Sequence, residues 1–259
     1  MRIARFSVGD EDPRYGAVEG DSESGMLLVL DGDPMFRAPR PTGERVPLAD
    51  ARLLAPVIPR SKVVCVGRNY AEHAAELGND VPERPLTFLK PNTAVIGPGD
   101  GIKKPTQTED LQYEGELGVV IGRICKDVPV DRAAEVIFGY LVGNDVTARD
   151  LQRTDGQWTR AKGFDTFCPL GPWIETALDP SDLAVTTTVN GELRQSGRTS
   201  QFIFDIPTVL AYISSVMTLL PGDVLLTGTP AGVGTIDVGD RVEVTVEGLG
   251  TLANQVIPA

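Results

Sequence analysis

Short apolar runs of about strand length recur along the whole chain, broken by clusters of Gly, Pro and Asp. In residues 1–58 the runs are 2–8, 15–18 and 26–30. Asp31-Gly32-Asp33-Pro34 reads as a turn, and the proline-spaced stretch 39–47 leads on to Leu53-Leu54. The pattern predicts a small β-rich N-terminal unit with no chemistry of its own, packed on the remaining domain, 59–259, or on a partner. In that domain, residues 62–67 form a short buried strand ending in Arg68-Asn69-Tyr70. Residues 71–78 favour helix and stop at Gly78, and 79–85 read as an exposed loop. The β pattern resumes over 86–91 and 94–96. A short helix is expected over 133–136, and a buried strand with an abrupt polar end over 138–146. Segments 185–189 and 192–195 flank Asn190-Gly191, a strong hairpin signal. Residues 206–219 read as an amphipathic helix with Pro207 near its start and Val209, Leu210, Ile213, Val216 and Met217 at core spacing. Strands over 224–226, 241–246 and 251–256 close the chain.

One stretch organises the rest: Tyr113-Glu114-Gly115-Glu116-Leu117-Gly118-Val119-Val120-Ile121. Its aliphatic half reads as a buried strand, so Glu114 and Glu116 point to the same face, roughly 7 Å apart along the chain. Two such carboxylates repel unless a proton or a cation lies between them, and a hard divalent ion would resolve the conflict with oxygen ligands. The plainer reading is an exposed pair on an edge strand. Asp145 closes a buried strand, where a carboxylate is costly unless paired or coordinated. It is a candidate third ligand, or else the N-cap of a helix over 147–152.

His73 and Glu76 lie three apart on the short helix and share a face. A His–Glu pair suits a water-activating general base, in which the carboxylate steadies the imidazolium; a surface histidine is the competing reading. The helix and the loop after it look like a lid that orders over a ligand. Lys162, among Gly163 and aromatics, suits a substrate carboxylate or enolate as well as a solvated surface. The loop Thr227-Gly228-Thr229-Pro230-Ala231-Gly232-Val233-Gly234 matches no nucleotide-binding pattern; its backbone N–H groups and Thr229 can hold a carboxylate, or it is a plain turn.

Composition narrows these readings. A net charge of −12 argues against nucleic acid as a partner. No apolar run is long enough to span a membrane, and the N-terminus does not read as a signal peptide. Three scattered cysteines, Cys65, Cys125 and Cys168, suggest reduced thiols in a cytoplasmic protein. The single histidine excludes a multi-histidine zinc site, so a metal here would have oxygen ligands, which favours Mg²⁺ or Mn²⁺.

Several segments together resemble the fumarylacetoacetate hydrolase family: 66–73, 88–91, 113–117, 144–150, 161–165, 189–192 and 227–230. The match runs in order over about 60–259, and the chain is similar to the small acylpyruvase and 2-hydroxyhepta-2,4-diene-1,7-dioate isomerase-like members. The resemblance implies an α+β, mostly β fold, a mixed β-sheet roll with a few short helices, in a homodimer with one Mg²⁺ or Mn²⁺ per subunit. By position, Glu114, Glu116 and Asp145 fall on the metal ligands and His73 and Glu76 on the catalytic pair. Lys162, Gln152 and Thr229 fall on substrate-contacting positions, with Arg68 in the motif beside them. The function expected first is metal-dependent hydrolysis of a C–C bond in an acylpyruvate or fumarylpyruvate-type 2,4-diketo acid. The cation and Lys162 would stabilise the departing pyruvate enolate. The alternatives are a 2-hydroxyhepta-2,4-diene-1,7-dioate isomerase, an oxaloacetate decarboxylase and, remotely, a non-catalytic metal-stabilised binding protein.

Overall fold

The strand Gly115–Ile121 is buried at every position, and the fold is built outward from it. The structure, a computed structural model, describes residues 1–20 and 25–259. Among these residues a twelve-stranded mixed sheet has Gly115–Ile121 between Ile137–Asn144 and Val224–Leu226. On one side the sheet continues through Val63–Gly67 to Leu86–Lys90. On the other it continues through Cys168–Glu175 to Arg2–Ser7, Arg14–Glu19, Met26–Leu30 and Pro41–Pro47. The N-terminal unit therefore extends the main sheet: Arg2 pairs with Glu175 and Ile3 with Ile174. A five-stranded sheet, in the order Glu192–Arg198, Ala184–Val189, Arg241–Val246, Gly250–Pro258 and Ile102–Lys104, covers the central strand.

Alternation along the central strand divides the core. Leu117, Val119 and Ile121 pack in the cluster that includes Val185, Val244 and Val246 of the five-stranded sheet. Val120 packs on the other face with Cys65, Leu141 and Leu226. The Asn190-Gly191 hairpin forms as expected, with both residues at positive φ (53° and 80°), the twist that two antiparallel strands require. Helix Ile206–Val216 begins where Asp205 accepts a hydrogen bond from the Thr208 N–H, and it buries Val209, Leu210 and Ile213.

Several expectations need correction. The helix stops at Val216, which is 63% exposed, and Met217 is already extended. The 133–136 helix is a longer 3₁₀ segment, Val130–Val136. The proline-spaced stretch of the N-terminal unit is a strand, Pro41–Pro47; it lies at the sheet edge with prolines at both ends, where no ladder N–H is lost. Cys168–Glu175 did not read as a strand because Pro169, Gly171 and Pro172 interrupt it, yet it joins the N-terminal unit to the core.

Candidate active site

Glu114 and Glu116 leave the central chain on the face away from the five-stranded sheet. Gly115 between them allows close approach: a Cβ there would lie 2.3 Å from Thr187 Oγ1. The neighbouring strand supplies the third carboxylate. Gly115 pairs with Asn144, whose Oδ1 accepts from the Glu114 N–H (3.0 Å), and the Asp145 N–H donates to the Glu114 carbonyl (2.8 Å). Asp145 is not a helix cap. Thr147–Ala148 is a short strand and the helix Arg149–Asp155 starts after Ala148, so the Asp145 side chain is free to turn inward. Glu114, Glu116 and Asp145 are all buried, and one oxygen from each lies within 4.8 Å of the others.

Three cations neutralise part of this cluster. Lys162 Nζ donates to Glu114 Oε2 (2.8 Å) and Asp145 Oδ2 (2.7 Å). Lys90 Nζ donates to Asp145 Oδ1 (2.5 Å) and the Val146 carbonyl (3.0 Å). Arg149 pairs with Glu114 Oε1 and also donates from Nε to Gln112 Oε1 (2.8 Å). Burial opposes ionisation of Glu114, but Lys162 and Arg149 outweigh it and hold the carboxyl well below the usual carboxylate range. Burial likewise works against the Lys162 ammonium, and Asp145 and Glu114 reverse it, so Lys162 stays charged. Among the described residues Glu116 has no such partner. It accepts from the Gly228 N–H (2.7 Å), and burial, Asp145 and Glu114 push its carboxyl well above the usual value. A buried triad of hard oxygen donors with one member still lacking a cation fits a divalent ion such as Mg²⁺ or Mn²⁺. The nearby thiols suit no such role: burial raises Cys65 far above its ordinary value and pushes Cys168 up to about 12, so neither is a thiolate nucleophile.

The helix Ala71–Glu76 brings its pair to the same cavity. His73 is buried, with Nδ1 3.2 Å from Glu76 Oε2, and Glu76 Oε1 accepts from the Gly232 N–H (3.0 Å). The glycine-rich loop thus holds two carboxylates of the protein itself, Glu116 through Gly228 and Glu76 through Gly232. The cavity, of about 470 Å³, is lined by His73, Glu76, Glu114, Glu116, Lys162 and Arg149. Arg68, Gln152 and Thr229 reach it as well. Arg68 stands at φ 58° and, among the described residues, takes part in no hydrogen bond or ion pair, which leaves its guanidinium available. Gln152 Oε1 accepts from Arg149. Thr229 Oγ1 donates to the Gly115 carbonyl and accepts from Gln195 Nε2 (2.8 Å each), so its hydroxyl proton is engaged within the protein.

Sequence reasoning missed Lys90 and Arg149. Lys90 ends a strand otherwise read as plain β, and Arg149 looked like one charge on a short polar helix. The usable signal was the clustering of carboxylates, which in a buried site demands cations in comparable number.

The family profile for fumarylacetoacetate (FAA) hydrolase, C-terminal, matches residues 62–257. The chain belongs to the fumarylacetoacetate hydrolase family. A second profile, Rv2993c-like, N-terminal, matches residues 1–56. Among similar proteins is Protein Rv2993c of Mycobacterium tuberculosis, 53% identical over 99% of this chain and 98% of its own length. The oxaloacetate tautomerase YisK of Bacillus subtilis is 43% identical over 81% of this chain and 74% of its own. Among solved structures, 5-carboxymethyl-2-hydroxymuconate delta-isomerase from Mycobacterium smegmatis is 54% identical, superposes with a TM-score of 0.93 and covers both chains fully. The fumarylpyruvate hydrolase from Pseudomonas aeruginosa, in complex with Mn²⁺ and pyruvate, is 37% identical with a TM-score of 0.74, over 80% of this chain and 92% of that one. Hydrolase, isomerase and tautomerase are thus all represented among the family relatives of this chain.

Proposed function

We propose that this protein is a divalent-metal-dependent hydrolase that cleaves a C–C bond in an acylpyruvate or fumarylpyruvate-type 2,4-diketo acid. The observation that carries the reading is the His73–Glu76 pair lining one cavity with Glu114 and Glu116, which form a buried triad with Asp145 behind them. Held by that triad, Mg²⁺ or Mn²⁺ would supply an electrophile for the 2-oxo-acid end of the substrate and counter the charge that develops there. Similarity to a hydrolase solved with Mn²⁺ and pyruvate supports this assignment.

The remaining chemistry falls to side chains of the protein. With Nδ1–H donated to Glu76, His73 presents Nε2 as the acceptor. Nε2 takes a proton from water as its oxygen adds to the distal carbonyl, and Glu76 steadies the imidazolium. Breaking the C–C bond places the electron pair on the pyruvate fragment as an enolate. The His73 imidazolium then returns its proton to the enolate carbon, giving pyruvate and a carboxylic acid. Lys162 has three N–H donors and spends two on Glu114 and Asp145, so one remains for the developing enolate oxygen. Arg68, with no side-chain partner among the described residues, suits a distal substrate carboxylate.

A second reading is proton transfer without hydrolysis, in an isomerase or an oxaloacetate tautomerase. Similarity to an isomerase at 54% identity and to a tautomerase at 43% favours it, and it uses the same base. A substrate panel with Mg²⁺ and Mn²⁺ separates the two. Pyruvate release from fumarylpyruvate or acetylpyruvate is the expected result. Interconversion of enol and keto oxaloacetate, or an ultraviolet change with a 2-hydroxydienoate and no pyruvate release, would move the assignment to proton transfer alone.

A further inference from the structure

The two faces of the 113–116 stretch serve the two halves of the site. Glu114 and Glu116 join the acidic triad, whereas the Tyr113 ring lies in the core shared with the five-stranded sheet. Tyr113 Oη donates to the carbonyl of Gly232 (2.8 Å), and the N–H of that same residue donates to Glu76 Oε1 (3.0 Å). Glu76 Oε2 in turn faces His73 Nδ1 (3.2 Å). A three-residue chain of contacts thus runs from the central stretch to the imidazole.

Position 232 is also wedged from behind. Gly232 has φ +100°, and a Cβ there would fall 2.1 Å from the Arg194 carbonyl, so the loop lies flat against the strand Glu192–Arg198. Glu76 is a flexible side chain, about a third exposed, on a helix of only six residues. Without a fixed donor on Oε1 its carboxylate would rotate into solvent and leave Nδ1 unpartnered.

We propose that Tyr113 is a positioning residue for the His73–Glu76 pair, acting through Gly232. The hydroxyl fixes Gly232, Gly232 fixes the plane of the Glu76 carboxylate, and that carboxylate selects the imidazole tautomer with the proton on Nδ1. The proposal rests on His73 being the base, but its test does not depend on turnover.

His73 is the only histidine in the chain, so ¹⁵N-histidine labelling reports on one imidazole without assignment. The holoenzyme with Mn²⁺ replaced by diamagnetic Mg²⁺ is compared as the parent, Tyr113→Phe, Glu76→Gln and the double variant. The parent is expected to show the Nδ1-protonated tautomer. Glu76→Gln should move the ring nitrogen shifts towards the Nε2-protonated form, and Tyr113→Phe should move them the same way by a smaller amount. Added to Glu76→Gln, Tyr113→Phe should change nothing further. Where substrate turns over, Tyr113→Phe should lower kcat roughly three- to tenfold with KM unchanged. If Tyr113→Phe folds poorly, Gly232→Ala displaces the same loop with the phenol intact and should shift the signal in the same direction. A Tyr113→Phe spectrum superimposable on the parent, or an equal shift with and without Glu76, would overturn the proposal. Expected spectra together with no activity on any 2-oxo acid would leave the positioning intact and refute the assigned reaction.

Discussion

Glu116 is the residue on which the metal reading turns. It is buried beside Asp145 and Glu114 and, unlike them, is paired with no lysine or arginine among the described residues. Removing its charge should therefore help the metal-free protein and harm the metal-bound one. In EDTA, Glu116→Gln is expected to melt no lower than the parent. With Mn²⁺ at about 100 times the parent's Kd, the parent should gain about 2.7 kcal/mol and the variant far less. Thermal melts with and without Mn²⁺ check this; equal gains in both proteins would mean that Glu116 is not a ligand. The two glutamates were legible in the sequence because a strand has a period of two residues, and alternation alone puts positions 114 and 116 on one face. Lys90 was not legible. A lysine at the end of an apolar strand looks solvated, and only the fold shows that its ammonium points back to Asp145 in the interior.

Among the elements, the His73 helix cannot sustain itself alone. Its six residues fall below the length at which an isolated helix is stable, so its order comes from docking, through buried His73 and Ala74 and the Glu76–Gly232 contact. Amides of 71–78 are expected to exchange faster than those of Gly115–Ile121, and to slow when Mg²⁺ and oxalate, a mimic of the 2-oxo-acid end, are added. Hydrogen exchange read by mass spectrometry tests this; protection unaffected by the ligand would argue against a lid. The helix Ile206–Val216 offers a control away from the cavity. Asp205→Ala removes its N-cap and should cost about 1 kcal/mol in denaturant melts while leaving kcat unchanged. Elements with a clean period, such as the central strand and the Asn190-Gly191 hairpin, were readable from the chain. Cys168–Glu175 and Pro41–Pro47 were not, because prolines mask both strands, and the first also pairs with Arg2–Ser7, far away in sequence, whereas the second pairs with its predecessor Met26–Leu30.

Across the whole chain, the candidate site is a product of topology. Residues 114 and 116 meet 145 through one antiparallel pairing, the glycine-rich loop follows the strand on the other side, and Lys162 and Arg149 arrive on short helices. The five-stranded sheet backs the central strand and carries Gln195, which fixes Thr229 and the backbone of Gly115. None of this convergence is local in sequence, so motif spacing indicated which residues belong together but not their contacts. If His73 activates water next to a metal-held 2-oxo acid, its loss should show in pyruvate release from fumarylpyruvate, measured for the Mn²⁺-loaded protein and for His73→Ala at matched metal content. A general base of this kind is worth about 10²–10⁴-fold, so His73→Ala should lose that much kcat while binding Mn²⁺ as the parent does. Turnover by His73→Ala within a few fold of the parent would contradict the account.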